Sequence, residues 1–342
     1  RSSAASDVYK RQFGAVFGMI NGIEGFAEGR VMDMEELKRS GELELVKTTP
    51  GSYLGSCRYK LPKDLNDEVY PKLFERFKEY DIGYFFYIGG NDSMDTVSKL
   101  SRYAEMVGSD ICFLGIPKTI DNDLPCTERT FGFDTAMAMA TEALDRIHTT
   151  AESHHRVMAL EVMGRYAGWI ALHSGIAGGA DVILIPEIPY SINSVIGKIR
   201  ARQAAGKQFS IIVVAEGARP VGGEMSIARM VKGSFEPIRL GGAGEKLVRE
   251  IEEKTGIESR CTVLGYLQRG GTPTPFDRVL STRYGVAAAE ACMRKEYNVM
   301  VSLQNDKIVT EPIEKVASEP RLVPVDSDII RTGRQMGLCF GD

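Results

Sequence analysis

Gly115-Ile116-Pro117-Lys118-Thr119-Ile120-Asp121-Asn122-Asp123 gathers two carboxylates, a lysine and a hydroxyl in one short stretch. Those groups are what phosphoryl transfer requires: a carboxylate to take the proton of an attacking hydroxyl, and positive charge for the phosphate that moves or leaves. The stretch follows Ile111-Cys112-Phe113-Leu114, an apolar run that reads as a buried parallel strand. It therefore falls at a strand's carboxyl end, where open α/β sheets place their chemistry. Asp-Asn-Asp is also good turn chemistry, so by itself the stretch leaves a plain Asx-rich turn open.

A second segment has the same grammar. Tyr84-Phe85-Phe86-Tyr87-Ile88 is strand-like and ends in Gly89-Gly90-Asn91-Asp92-Ser93, after which Met94, Val97 and Leu100 follow at helical spacing. Strand, glycine pair and helix start form a phosphate-binding geometry, because glycines let the backbone approach and helix-terminal N–H groups face the anion. Asn91, Asp92 and Ser93 would equally serve as N-caps.

Further polar residues gather at strand ends. Met163-Gly164-Arg165 follows the strand-like Val157–Met163 run and offers a guanidinium fork beside a glycine. Glu216-Gly217 closes the apolar Ile211–Val214 run, where a carboxylate can accept from sugar hydroxyls or simply cap a turn. Arg260, Tyr266 and Arg269 lie on or beside an expected strand Cys261–Leu267, before Gly270-Gly271. Both arginines could address one phosphate, or could pair with surface carboxylates to little effect.

The elements that must hold these groups alternate. Helical patterns are expected over Asp134–Thr150, Gly168–Ala177, Ser194–Ala204, Gly244–Thr255, Phe276–Lys295 and Asp328–Met336. Strands are expected between them, including Val182–Ile185, which predicts an α/β protein with parallel sheets. The 342 residues suffice for two lobes. We expect residues 13–134 plus about 251–298 in the larger lobe, 135–250 in the smaller, and 299–342 packing back on both. Residues 1–12 show no apolar periodicity and are expected to be a non-native leader.

Composition narrows the function classes. Net charge is −4 and no basic stripe stands out, which argues against nucleic acid as the main partner. No apolar run approaches the ~20 residues of a membrane span. The 6 cysteines are scattered without a Cys-x-x-Cys pair, which suits a reduced, cytoplasmic protein and argues against a zinc site. His154 and His155 are adjacent and cannot form a helical ligand pair.

Taken together, from about Phe13 onward, the motifs closely resemble the 6-phosphofructokinase family. Gly-Gly-Asn-Asp-Ser, Pro-Lys-Thr-Ile-Asp-Asn-Asp, Met-Gly-Arg, Glu-Gly and Gly-Tyr-Leu-Gln-Arg-Gly-Gly occur in the family's order. The resemblance implies two Rossmann-like lobes, with fructose 6-phosphate and a phosphoryl donor meeting in the cleft. It implies Asp121 as the base for the sugar 1-hydroxyl, with Thr119 and Asp123 at the reacting phosphate and metal. Met163, Gly164, Arg165, Glu216, Arg260, Tyr266 and Arg269 match the sugar-phosphate site. Arg156 matches an arginine that reaches the sugar phosphate of a neighbouring subunit, which implies a homodimer or homotetramer. Arg58 and Gly89, Gly90, Asn91, Asp92 and Ser93 match the donor side. The implied cofactor is Mg2+, for which Asn91 offers only a carbonyl oxygen where the family usually has aspartate. The family's first strand and its Gly-Gly donor loop are not recognisable upstream of Phe13, and regulatory arginines are mostly not recognisable, which suggests an unregulated enzyme.

Two positions bear on the donor. Relatives that use ATP typically carry glycine where this chain has Asp92, and glycine again where it has Lys118. The pair resembles the pyrophosphate-dependent branch, as does Tyr266 in place of a common histidine. A carboxylate at Asp92 would repel the α-phosphate of ATP, and Lys118 can neutralise charge on a leaving phosphate. Catalytic roles are thus expected for Asp121, Lys118, Thr119 and Asp92. The rival expectations are an ATP-dependent 6-phosphofructokinase and a non-catalytic sugar-phosphate-binding paralogue.

Overall fold

Several apolar runs become strands buried on both faces, as over residues 112–117, 157–162 and 210–215. A computed structural model describes residues 13–46, 51–230, 238–317 and 319–342, so the expected leader over residues 1–12 lies outside the described residues. The chain divides into two units. The first comprises the residues up to Thr119, Leu124–Gly132 and Thr272–Glu319; the second comprises Ile120–Asp123, Phe133–Gly271 and Pro320–Asp342.

In the first unit, β1 (Phe17–Met19) and β2 (Val31–Asp33) form an antiparallel pair. The main sheet holds β3 (Tyr84–Gly89), β4 (Cys112–Thr119), β5 (Phe131–Gly132), β12 (Val299–Gln304) and β13 (Lys307–Pro312). Its path is β13-β12-β4-β3, with β5 beside the carboxyl end of β4; only the β12–β13 pair is antiparallel. Strand alternation directs Phe113 into the cluster of Met94, Val97 and Leu100 on the helix Asn91–Val107. Ile116 packs instead with Leu280 and Tyr284 of the helix Pro275–Met293, on the opposite face. Gly115 has no side chain because a Cβ there would lie 2.4 Å from the Met94 sulfur, so the bare backbone sets how closely that helix approaches.

In the second unit, β6 (Val157–Val162), β7 (Val182–Leu184), β8 (Ser210–Ala215) and β11 (Ser259–Val263) form an all-parallel sheet in the order β11-β6-β8-β7. Along β6, Met158, Leu160 and Val162 join a core with the helices Phe133–His154 and Trp169–Ala177. Val157 and Ala159 point the other way, towards the helices Ile192–Ala204 and Ala243–Thr255. Helices on both faces are what lets a parallel sheet read as continuous apolar runs. A separate antiparallel pair joins β9 (Ile227–Met230) and β10 (Ile238–Leu240).

The architecture is the expected α/β one, but the division of the chain differs from the expected boundaries. Residues 251–271 stay with the second unit, because β11 pairs with β6. The tail, expected to pack back on both lobes, is shared between the units: β12 pairs with β4 in the first, while Pro320–Asp342 belongs to the second. The expected strand Cys261–Leu267 also ends early. β11 stops at Val263, and Gly265–Arg269 is a 3-10 turn entered through Gly265 at φ 50.

Candidate active site

In the first unit, strand register brings two of the motifs side by side. Gly89 pairs with Pro117, so the Gly-Gly turn lies next to Lys118-Thr119 at the carboxyl ends of β3 and β4. The turn is tight: a Cβ on Gly89 would sit 1.9 Å from the Ser93 hydroxyl. Gly90 caps the helix Asn91–Val107, and its carbonyl accepts from the N–H groups of Ser93 and Met94, each at 3.0 Å. Asn91 and Asp92 thereby occupy the first helical turn, whose partial positive charge attracts anions. Lys118 is exposed at the strand end, and β5 braces that end through the Lys118–Phe131 and Thr119–Gly132 pairs. The Thr130 hydroxyl donates to the Thr119 carbonyl at 2.7 Å.

Asp92 has a partner that the motif did not reveal. Lys60 Nζ lies 2.8 Å from its carboxylate, with both side chains substantially exposed. An exposed pair of this kind adds only ~0–1 kcal/mol to stability, so its effect is to aim the carboxylate. Lys60 follows the exposed Arg58 in the loop Arg58-Tyr59-Lys60, remote in sequence from Asp92, and no local spacing announces the pair.

In the second unit, the strand ends converge in the same way. The Val162–Ala215 pair places Met163-Gly164-Arg165 beside Glu216-Gly217. The Gly217 N–H donates to the Gly164 carbonyl at 3.1 Å, and the Glu216 N–H to the Val162 carbonyl at 2.9 Å. Gly164 holds φ 141, a left-handed conformation that favours glycine. A Cβ on Gly217 would lie 2.0 Å from the Arg165 carbonyl. Gly217→Ala must push that backbone aside, and is expected to lower the melting temperature by about 2–12 °C. An unchanged thermal transition would show that the two segments are not packed this closely.

Gln268 holds the third segment in place. It is 1% exposed; its Oε1 accepts from the Met163 N–H at 3.3 Å and its Nε2 donates to the Gly265 carbonyl at 3.1 Å. Tyr266 and Arg269 are exposed on the same 3-10 turn. Glu161 anchors the adjoining helix, accepting from the Gly242 and Gly244 N–H groups at 3.2 and 2.7 Å. Arg165 lies over the Tyr166 ring, 5.3 Å from its centroid.

Asp121 joins this group electrostatically. Burial pushes the Glu216 carboxyl above the usual range, the charge of Asp121 pushes it further, and a backbone hydrogen bond at Gly164 opposes both. Between Asp121 and the nine-tenths buried Asp123, Asn122 is 1% exposed and left-handed at φ 52.

Two arginines stand elsewhere. Arg260 pairs across the sheet with Met158, five positions before Met163, or roughly 16 Å at ~3.3 Å per residue. It binds Glu258 at 2.7 Å and Glu252 at 3.5 Å. Arg156 binds the same Glu258 at 2.8 Å and holds that carboxyl below its usual range. Within this chain, then, Arg156 and Arg260 form a group at the amino ends of β6 and β11, opposite to Arg165 and Arg269. The expectation that Arg260 and Arg269 address one phosphate from a single strand is not met in one chain, because β11 ends at Val263 and Arg269 closes the 3-10 turn that follows.

Among the described residues no group of three His, Cys, Asp or Glu side chains is placed to hold a metal ion. Nor is any helix among them long and apolar enough to cross a membrane.

The family model described as "Phosphofructokinase" matches residues 2–292. An ATP-dependent 6-phosphofructokinase 2 of Clostridium perfringens is 49% identical over 269 residues, covering 78% of this chain and 72% of that protein. A pyrophosphate–fructose 6-phosphate 1-phosphotransferase of Amycolatopsis mediterranei is 45% identical over 289 residues, covering 83% and 81%. Among solved structures, a pyrophosphate-dependent phosphofructokinase of Marinobacter aquaeolei aligns with a TM-score of 0.80 at 29% identity, over 100% of this chain and 88% of that one.

Proposed function

The chain belongs to the phosphofructokinase family, and from that premise we propose that it transfers a phosphoryl group from pyrophosphate to the 1-hydroxyl of fructose 6-phosphate. The products are fructose 1,6-bisphosphate and phosphate. The observation that carries the donor assignment is the first turn of the helix Asn91–Val107 beside the end of β4. An acidic side chain, Asp92, stands at the helix start, and a lysine, Lys118, stands at the strand end. Asp92 excludes a nucleotide's α-phosphate by repulsion, while Lys118 stabilises charge developing on the phosphate that leaves. Gly89, Gly90, Ser93 and Arg58 complete the donor side.

Asp121 takes the proton of the sugar hydroxyl, with Thr119 and Asp123 flanking the reacting phosphoryl group. Glu216, Met163 and Gly164 hold the sugar, and Arg165, Tyr266 and Arg269 its phosphate. Arg156 and Arg260 serve the sugar phosphate of a neighbouring copy in a homodimer or homotetramer, which agrees with their place at the opposite end of the sheet. Mg2+, when bound, neutralises donor phosphate oxygens. Such ions are held by one or two protein oxygens plus phosphate, which fits the absence of any three-ligand cluster among the described residues. Asn91, in the first unit, and Asp123, in the second, are each a candidate ligand.

Relatives named for ATP, such as that of Clostridium perfringens, favour a second reading with ATP as donor. Steady-state rates with each donor at saturating fructose 6-phosphate decide between them: kcat/KM is expected to be higher for pyrophosphate, and a preference for ATP would reverse the assignment. Arg269→Ala should raise KM for fructose 6-phosphate by about 10–100-fold, because a charge-assisted phosphate contact is lost. KM for the donor should stay within about threefold, since uniform binding is lost only on the sugar side. A rise in donor KM instead would place Arg269 in the other pocket.

A further inference from the structure

The turn that carries Asp121 is held from the far end of the chain. Both peptide carbonyls after Asp121 accept from one residue: the Arg321 guanidinium donates to the Asn122 carbonyl at 2.9 Å, and the Arg321 N–H donates to the Asp123 carbonyl at 2.7 Å. Arg321 is itself fixed twice by Trp169. Its guanidinium lies over the indole ring, 4.3 Å from the centroid, and its carbonyl accepts from Trp169 Nε1 at 3.0 Å. Glu187 closes the arrangement. One carboxylate accepts from Gly168 N–H at 3.0 and 3.1 Å, just before Trp169, and from Val323 N–H at 2.8 Å, just after Arg321. Trp169 is 8% exposed and Val323 2%.

We propose that Arg321, clamped by Trp169 and Glu187, is a positioning residue that sets the conformation of the Ile120–Asp123 turn and so aims Asp121 at the sugar hydroxyl. The physical case starts from Asn122. A non-glycine residue at φ 52 is held in a sparsely populated conformation by its surroundings. Fixing both carbonyls that follow Asp121 supplies that restraint, since buried carbonyls need donors. Arginine suits the task because its planar guanidinium can stack on an aromatic face while donating in its own plane, which an ammonium does less well. A general base misplaced by a fraction of an ångström loses much of its effect, whereas sugar and donor contacts elsewhere do not depend on this turn.

The inference rests on Asp121 being the base, and a double-mutant cycle separates the two claims. Arg321→Ala is expected to lower kcat by about 10–100-fold, with KM for fructose 6-phosphate within about threefold of the unmutated enzyme. In an Asp121→Asn background the same substitution should cost at least about threefold less in kcat than it does in the unmutated enzyme, because the part that acts through Asp121 has nothing left to aim while the part that acts through Asp123 on the same turn remains. Arg321→Lys keeps a cation over the ring and one donor, and should recover part of the lost kcat. Trp169→Phe keeps the stack and loses the indole hydrogen bond, so it should fall between the unmutated enzyme and Arg321→Ala. These two conservative variants carry the same cycle if Arg321→Ala does not fold. Trp169 is the chain's single tryptophan, so a changed emission spectrum in Arg321→Ala reports loss of the stack. An equal kcat loss in both backgrounds, an effect on KM alone, or an unchanged kcat, whatever the spectrum shows, would overturn the proposal. An unmutated enzyme inactive with either donor would instead refute the reading on which it rests.

Discussion

Asp121→Asn should lower kcat by about 10²–10⁴-fold, or about 3–5 kcal/mol of transition-state free energy. Asparagine matches the carboxylate in shape but cannot take the proton of the sugar hydroxyl. The neighbouring Glu216 sharpens the expectation. Its carboxyl is pushed above the usual range by burial and by Asp121, so removing the Asp121 charge should let Glu216 titrate lower. In the proposed function Glu216 holds the sugar, so it is not expected to take over as base. KM for fructose 6-phosphate should therefore change little. Steady-state kinetics of the purified variant check both numbers, and a near-normal kcat would remove Asp121 from the mechanism.

Lys118→Gly should reduce kcat with pyrophosphate by about 10²–10³-fold, the usual cost of losing one preorganised charge at the reacting phosphate. The loss should fall on kcat more than on KM, since charge on the leaving phosphate develops mainly in the transition state. Asp92→Gly acts in the other direction. It removes the carboxylate that would face a nucleotide's α-phosphate and releases Lys60 from its 2.8 Å ion pair. That lysine can then face an anion, so Asp92→Gly should admit some ATP even though it is a single change. The double variant should shift preference further towards ATP, with fructose 6-phosphate binding preserved in all of them. Kinetics of the four proteins with both donors check this. Intact pyrophosphate turnover in Lys118→Gly would overturn the assigned role.

Much of the fold was legible because parallel strands covered on both faces write themselves as apolar runs. Ile211–Val214 and Val157–Met163 match β8 and β6 to within a residue or two at each end. The expected helix Asp134–Thr150 runs instead from Phe133 to His154, with Phe133 fully buried. Cys261–Leu267 misled for a local reason: Leu264 and Leu267 suggest continued strand, yet Leu267 is 65% exposed and the chain turns at Gly265. Unit boundaries were illegible because they depend on pairing between distant segments, such as β12 with β4.

The candidate site divides similarly. Glycines with a steric duty, Gly89, Gly164 and Gly217, could be read from their motifs, since each must let a backbone or hydroxyl approach closely. The residues that hold the motifs in place could not. Lys60, Gln268, Glu187, Trp169 and Arg321 act through contacts with segments remote in sequence, and no local spacing announces them. Arg156 and Arg260 show the converse: their residue type suggests a phosphate, while the register of β6 and β11 puts them at the other end of the sheet.

Running the reaction backwards tests the central claim most directly. Fructose 1,6-bisphosphate, orthophosphate and magnesium are incubated with the unmutated protein in the absence of any nucleotide, and phosphorus NMR follows the phosphate species. The account predicts that pyrophosphate and fructose 6-phosphate appear together in equal amounts, because pyrophosphate and the sugar ester exchange the same phosphoryl group. No pyrophosphate from orthophosphate, with ATP formed once ADP is supplied, would contradict it.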